Sequence, residues 1–347
     1  MIKPKIAYFN KFIHWKMVMV YLIAILCVTI VLTTAIGPVY VPPLEIVALL
    51  GNKLHLCEAA SIPHKYDVII LQIRLPRIVL GLLVGLSLAT AGTTLQGLFK
   101  NPMADPYIIG IASGAAVGAV FSMLILPGFL FIYTKPFMAF LGAMFTTFLV
   151  YNIAKVGRRI PVDTLLLTGI AVSLFLGAVL SFMMFVAEDL HSIFFWLMGG
   201  FWLANWAQVK ITILPVFVCF FLIYIFAKDL NAMLLGEECA QTLGINVEWV
   251  KKILLVFAAF ITATAVSFVG TIGFVGLIIP HITRILVGPD HRILFPASAL
   301  VGGIFLVWTD ALARLLGEMP VGIITAFFGA PFFIYLLRKR KGGHYFT

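Results

Sequence analysis

Residues 229–252 read DLNAMLLGEECAQTLGINVEWVKK, a polar interruption in a chain that is otherwise strongly apolar. Within it, 235–244 predicts a short helix. Glu237 and Glu238 stand in its first turn, where the helix dipole favours negative charge. Gly244 is placed to end that helix in a left-handed conformation, and Asn246 to cap the next one. Lys228 precedes the stretch, and Lys251 and Lys252 close it. A charged, capped loop of this kind belongs in water. The long apolar runs on either side then read as spans that bring the chain to one face of a membrane and take it away again.

Composition supports that solvent. Hydrophobic residues make up 62% of the chain, against roughly 45–50% in soluble domains. Charged residues are 11%, against about 25%. So few polar residues cannot cover a core that apolar, and lipid takes their place. The net charge of +10 is scattered between apolar runs. It therefore reads as the cationic bias of cytoplasmic loops and not as a nucleic-acid surface. Cys27, Cys57, Cys219 and Cys239 have neither paired nor metal-ligand spacing, which predicts packing roles, with Cys57 in an external loop. No metal site and no cofactor is expected.

A membrane-crossing helix needs about 20 apolar residues, and ten runs approach or meet that. The first, 17–36, follows Lys3, Lys5, Lys11 and Lys16. It is longer than the ~7–15-residue core of a cleaved signal, so an uncleaved span with its N-terminus inside is expected. The others are 77–98, 107–126, 137–154, 165–186, 209–227, 253–269, 273–287, 293–316 and 321–337. The eighth is short and holds Pro280. Segments 37–66 and 188–208 fall outside, the latter aromatic and partly helical. Lys155, Arg158 and Arg159, the 229–252 loop and the basic end at Arg338, Lys339, Arg340 and Lys341 fall inside. The expectation is an all-α polytopic membrane protein of about ten spans. Residues 1–347 form one transmembrane domain with 229–252 as its cytoplasmic loop, and both termini are cytoplasmic.

Small residues recur at helical spacing at Gly81, Gly85 and Ala89 and at Gly110, Gly114 and Gly118. Such stripes let spanning helices approach closely, and tight packing is their simplest reading. Arg74 and Arg77 flank a proline just before the second span and are expected to point into external water. They are either snorkelling anchors or a docking point for carboxylates, which Arg binds bidentately. Asp310 and Arg314 share a helix face. Glu318 could cap the helix beyond Pro320. His281 lacks a second ligand at metal spacing, so packing explains it, and His291 reads as a turn residue.

Absences narrow the function. The chain has no G-x-x-x-x-G-K-[ST] phosphate cradle, no H-E-x-x-H and no Ser/His/Asp set. Asp310 is the one acid well inside a span, whereas ion-coupled transporters place ionisable residues within theirs. A transporter so equipped takes its energy from another chain. The 229–252 loop is where that force would enter.

Several motifs then converge. They are Arg74-Leu-Pro-Arg77, Gln96 with Asn101-Pro-Met-Ala-Asp-Pro106, Gly110-Ile-Ala-Ser-Gly-Ala115, the stretch from Leu235 to Gly244, Gly273-Phe-Val-Gly-Leu-Ile-Ile-Pro-His281, Asp290-His-Arg292, Asp310-Ala-Leu-Ala-Arg314 and Glu318-Met-Pro-Val-Gly322. In this order, over roughly 70–338, the chain resembles the FecCD-type permease subunits of ABC importers for iron–siderophore complexes, haem and vitamin B12. The resemblance implies the type II importer permease fold, a homodimer with the pathway between subunits, two cytoplasmic ABC ATPase subunits and an extracytoplasmic solute-binding protein. It implies that Arg74, Arg77 and Arg314 meet acidic side chains of the binding protein. Gly236, Glu237, Ala240, Leu243 and Gly244 match the helix that couples to the ATPase. Asn101 and Met103 match one part of the inner gate. The other part falls at Val162 and Asp163, where small hydroxyl residues are the family pattern. An ion-coupled secondary transporter, an oxyanion importer permease of the same fold and a membrane enzyme remain as alternatives.

Overall fold

The computed structural model describes residues 2–53, 64–125, 131–157 and 160–341. Cys57, Pro127, Arg158 and Arg159 lie outside the described residues. Among the described residues every regular element is helical. The order is α1 (Ile2–Ala35), α2 (Pro43–Lys53), α3 (His64–Val68), a π-helical turn (Ile69–Arg74), α4 (Leu75–Leu98), a 3-10 turn (Pro106–Ile109), α5 (Ile111–Ile125), α6 (Phe131–Ala154), α7 (Val162–Phe185) and α8 (Leu190–Met198). Then come α9 (Trp206–Ile225), α10 (Ala227–Leu234), α11 (Glu237–Thr242), α12 (Val247–Val269), α13 (Val275–Val287), α14 (His291–Leu315) and α15 (Val321–Lys341). Among the described residues, seven helices are long and apolar enough to cross a membrane. Three shorter apolar ones, Ile111–Ile125, Val275–Val287 and Val321–Leu336, bring the set to the ten expected runs.

The hub is α4, with 83% of its most apolar window buried, against 11% for α7. Glycine makes that hub possible. A Cβ on Gly85 would stand 2.2 Å from the carbonyl oxygen of Gly302 on α14, and one on Gly92 would stand 1.8 Å from that of Gly276 on α13. The backbones therefore touch, as close packing in lipid requires. The Gly114 and Gly118 stripe does the same between α5 and α6, against Gly142 and Met138. Gly110 leaves its stripe. It takes φ +82° and turns the chain from the 3-10 segment into α5, which shortens the third span to start at Ile111.

Two departures from the sequence reading have local causes. Pro76 sits in the first turn of α4 without an N–H. The turn before it widens to π geometry, with Leu75 donating to the carbonyl of Ile70, and this turn carries Arg74. After the sixth span the chain enters a separate helix, α10, instead of a loop. Its Ala227, Leu230 and Met233 are buried in the core while Lys228 and Asp229 stay on its outer face.

Candidate functional site

Two clusters of charge lie at opposite ends of the span α14. At the end where α1 stops, Arg74, Arg77, Asp310 and Arg314 are all buried. The expectation that the arginines point into water is therefore corrected. The last carbonyls of a helix have no intrahelical partner and carry the negative end of its dipole, and here α1 offers three of them and the residue after it a fourth. Arg74 donates to the carbonyls of Thr34 at 2.5 Å and Ala35 at 3.4 Å, and also to that of Val39. Arg314 donates to the carbonyls of Ile36 at 2.7 Å and Thr33 at 2.9 Å. Two guanidiniums thus cap α1 from other parts of the chain.

Asp310, 1% exposed, balances them. Arg77 Nε donates to both its carboxylate oxygens, at 2.9 and 3.0 Å, and Arg314 Nε lies 3.3 Å from it. Arg77 Nη2 also stands 2.8 Å from Glu318 Oε2, yet neither atom meets hydrogen-bond geometry. The Glu318 side chain is 42% exposed, and its backbone takes φ +61°. The cluster is an ion-paired inner core, Arg77, Asp310 and Arg314, with one half-exposed and poorly directed acid at its rim.

At the opposite end, α10, α11 and the start of α12 build a platform. Gly236 takes φ +132° at the start of α11, and Gly244 ends it at φ +84° as expected from sequence. Glu237 and Glu238 occupy its first turn. Ala240 is fully buried beneath it, and the Ile245 N–H returns to the Ala240 carbonyl at 3.1 Å. Lys251, 5% exposed, bridges Glu237 at 2.8 Å and Glu248 at 3.4 Å, tying α11 to α12. Glu248 also accepts from the backbone of Ile160, just ahead of α7. Asn246 caps α12 by accepting from Trp249 N–H at 3.2 Å. On this rigid base Leu235 is 78% exposed and Leu243 68%.

The platform is bolted to α14 by residues that sequence reasoning passed over. Asn231 on α10 donates to Asp290 at 2.8 Å and accepts from the backbone N–H of His291 at 2.9 Å. His291 Nδ1 lies 2.8 Å from the same Asn231 oxygen. His291 is thus a buried anchor and not a plain turn residue. Arg292 grips Asp290 through Nε at 3.0 Å and Nη2 at 2.6 Å, and stacks over Trp15 of α1. Burial pushes the Asp290 carboxyl up, but hydrogen bonds from Arg292 and Asn231 outweigh it and hold the group well below the usual carboxylate range. The Asp290-His-Arg292 motif was legible, but its Asn231 partner lies about sixty residues earlier.

The residues expected at the inner gate fall in two places, and no described bond joins Asn101 or Met103 to Val162 or Asp163. Asn101 and Met103 lie in the bend after α4, where Asn101 Oδ1 accepts from Met103 N–H at 3.0 Å. Val162 and an exposed Asp163 open α7. His281 Nδ1 is buried without a hydrogen-bond partner. Among the described residues no group of His, Cys, Asp and Glu could hold a metal ion.

Residues 24–339 match the model of the FecCD transport family. The chain is 50% identical over 283 residues to the cobalamin import system permease protein BtuC of Halobacterium salinarum, covering 81% of this chain and 76% of that one. It is 39% identical to the Fe(3+)-citrate import system permease protein YfmE of Bacillus subtilis, covering 91% and 93%. It is 38% identical to the hemin transport system permease protein HmuU of Yersinia pestis, covering 78% and 83%. Among solved structures, a metal-chelate type ABC transporter in an inward-facing conformation superposes with a TM-score of 0.82 at 30% identity, covering 93% of this chain and 99% of that one.

Proposed function

The chain belongs to the FecCD transport family and is a multi-pass membrane transport permease, from which we propose that it imports a metal chelate as a homodimer driven by two separate cytoplasmic ATPase subunits. The observation that carries this reading is the α10–α11–α12 platform. Exposed Leu235 and Leu243 flank a short helix that the Glu237–Lys251 bridge and the buried Ala240 hold still. An exposed apolar ridge on a polar loop fits a partner's groove. Force applied to Leu235 and Leu243 passes through Lys251 into α12, and through Asn231 into α14. Residues 229–252 and both termini then face the cytoplasm. The poorly buried face of α7 supports the contact between subunits. Asn101, Met103, Val162 and Asp163 form the inner gate.

At the other face, the arginine cluster receives an external solute-binding protein. The inner salt bridges stay intact, and a partner carboxylate takes the place of Glu318 on Arg77, since Glu318 is the accessible and badly aligned member. Cargo is of the class carried by the relatives, a metal held inside an organic ligand, and cobalamin is the first to test, given the 50% identical relative.

The test is uptake of labelled cobalamin, ferric citrate and hemin by vesicles holding the permease, its ATPase and its binding protein. Uptake of one of them with ATP inside, and none under an ion gradient alone, is the expected result. Uptake driven by the gradient without ATP would sink the reading. Glu318→Gln should tighten the binding protein several-fold, and unchanged or weaker binding would remove the exchange of acids.

A further inference from the structure

Two neighbouring cavities run along α6, α9 and α12 on the side of the bundle that carries α8. The larger, about 490 Å3, is a trough lined by Tyr133, Phe137, Phe140, Ile211, Pro215 and Phe260. Two of its hydroxyls bond within their own helix: Thr264 donates to the carbonyl of Phe260 at 2.8 Å, and Ser267 to that of Thr264 at 2.9 Å. The smaller, about 320 Å3, has a different lining, in which Lys135, His191, Trp196 and Gln208 stand among the aromatic rings of Phe195 and Trp202. Phe268 lines both cavities, and Thr134 of one is followed directly by Lys135 of the other. Neither is lined by a carboxylate. The nearby Asp189 is occupied, accepting from Ser192 N–H at the start of α8.

The pair therefore forms a long apolar trough with one polar, cationic end. A second observation points to a ligand at that end. Trp196 is buried, and its indole N–H has no hydrogen-bond partner. A buried donor left unmade is costly, and indole N–H groups normally find an acceptor when buried. Water does not suit the trough, because a water needs several polar partners. An empty apolar cavity of this size forfeits the contacts of its lining. The bilayer supplies a molecule that meets both demands.

We propose that this is a specific site for a phospholipid with an anionic headgroup. The phosphate lies between Lys135 and the Trp196 N–H, near His191 and Gln208. One acyl chain fills the trough against Phe137, Phe140 and Phe260. Basic pockets between spanning helices take anionic headgroups on this logic of charge plus donors, and aromatic side chains gather at headgroup level. With residues 229–252 facing the cytoplasm, the lipid belongs to the outer leaflet. That assignment of leaflet rests on the proposed orientation, while the site itself does not.

The experiment is native mass spectrometry of the purified full-length permease after delipidation in detergent. It is titrated with phosphatidylglycerol, with phosphatidylcholine of the same chains, and with inorganic phosphate. The expected result is one retained phosphatidylglycerol per chain, bound about tenfold more tightly than phosphatidylcholine, with no retention of phosphate. Trp196→Phe should weaken phosphatidylglycerol several-fold and leave phosphatidylcholine unchanged. Lys135→Gln should remove most of the preference. Phe137→Glu, at an exposed trough position, serves if Lys135→Gln does not fold, and should weaken both lipids. Equal retention of the two lipids by the wild type would overturn the proposal. So would Trp196→Phe retaining phosphatidylglycerol as the wild type does, or phosphate retained as firmly as the lipid. Because no arm reads transport, a negative result here leaves the importer reading standing, and a failed uptake assay leaves this site standing.

Discussion

At the end of the bundle where α1 stops, Arg74, Arg77, Asp310 and Arg314 are buried together, with Arg74 and Arg314 donating to α1's last carbonyls and Arg77 donating to Asp310. At the other end, Lys251, Glu237 and Glu248 lie beneath an exposed ridge of Leu235 and Leu243. Both regions use ion pairs, but for different tasks. The first turns charge inward and joins the first, second and ninth expected spans into one unit. The second turns charge inward to hold a short helix still and leaves leucine outside. Charged residues are thus internal struts in both places. The side chains that stay exposed beside these struts are Glu318 at one end and Leu235 and Leu243 at the other.

That contrast can be broken most severely at Asp310. Asp310→Ala leaves Arg77 and Arg314 buried without their shared counter-charge, and should cost about 3–5 kcal/mol. A large drop in the unfolding midpoint followed by tryptophan fluorescence in detergent is expected. A midpoint within a degree or two of the wild type would show that the buried arginines do not need the charge of Asp310. Leu243→Asp probes the opposite kind of residue. Stability should stay within about 0.5 kcal/mol, while affinity for the ATPase subunit falls roughly thirtyfold, as for loss of an interface anchor. Unaltered copurification with the ATPase would remove the ridge from the coupling path.

Lys251→Met sharpens the distinction between strut and contact. The methionine fills the space of the lysine stem but loses both bridges, which should cost about 1 kcal/mol given the half-exposed acids. ATPase binding should persist and cargo moved per ATP should fall. Retention of full coupling would place the force path elsewhere. The smallest effect expected is with pH. Asp290 has a depressed folded value, so its contribution is present above the unfolded carboxylate value of about 3.9 and is lost as pH falls below it. The midpoint of Asp290→Asn should therefore change less than that of the wild type between pH 5 and pH 3, both read as thermal unfolding. Parallel pH curves would show that the Arg292 and Asn231 bonds do not perturb it.

Much of the platform was legible in the chain because its causes are local. Gly244 and Asn246 act within four residues of themselves, and the two acids of α11 sit in its own first turn, so their spacing alone places them. The ten apolar runs were legible for the same reason, since hydropathy over about 20 residues needs no partner. The arginine cluster was not. Arg74 and Arg314 are buried by carbonyls near residue 35, some 40 and 280 positions away. Nothing in Arg-Leu-Pro-Arg says whether such an acceptor waits. The fate of His291 depended equally on Asn231.

Composition and period alone determined that this chain lives in lipid, crosses it about ten times and presents a capped polar loop at 229–252. Those are properties of how each segment meets solvent, and solvent preference sums residue by residue. Which glycines become backbone contacts, which arginines become struts and which leucines stay exposed was decided only when α4 was enclosed by its neighbours. Burial is a relation between distant segments, and a charge is stable inside only where another part of the fold supplies its bonds.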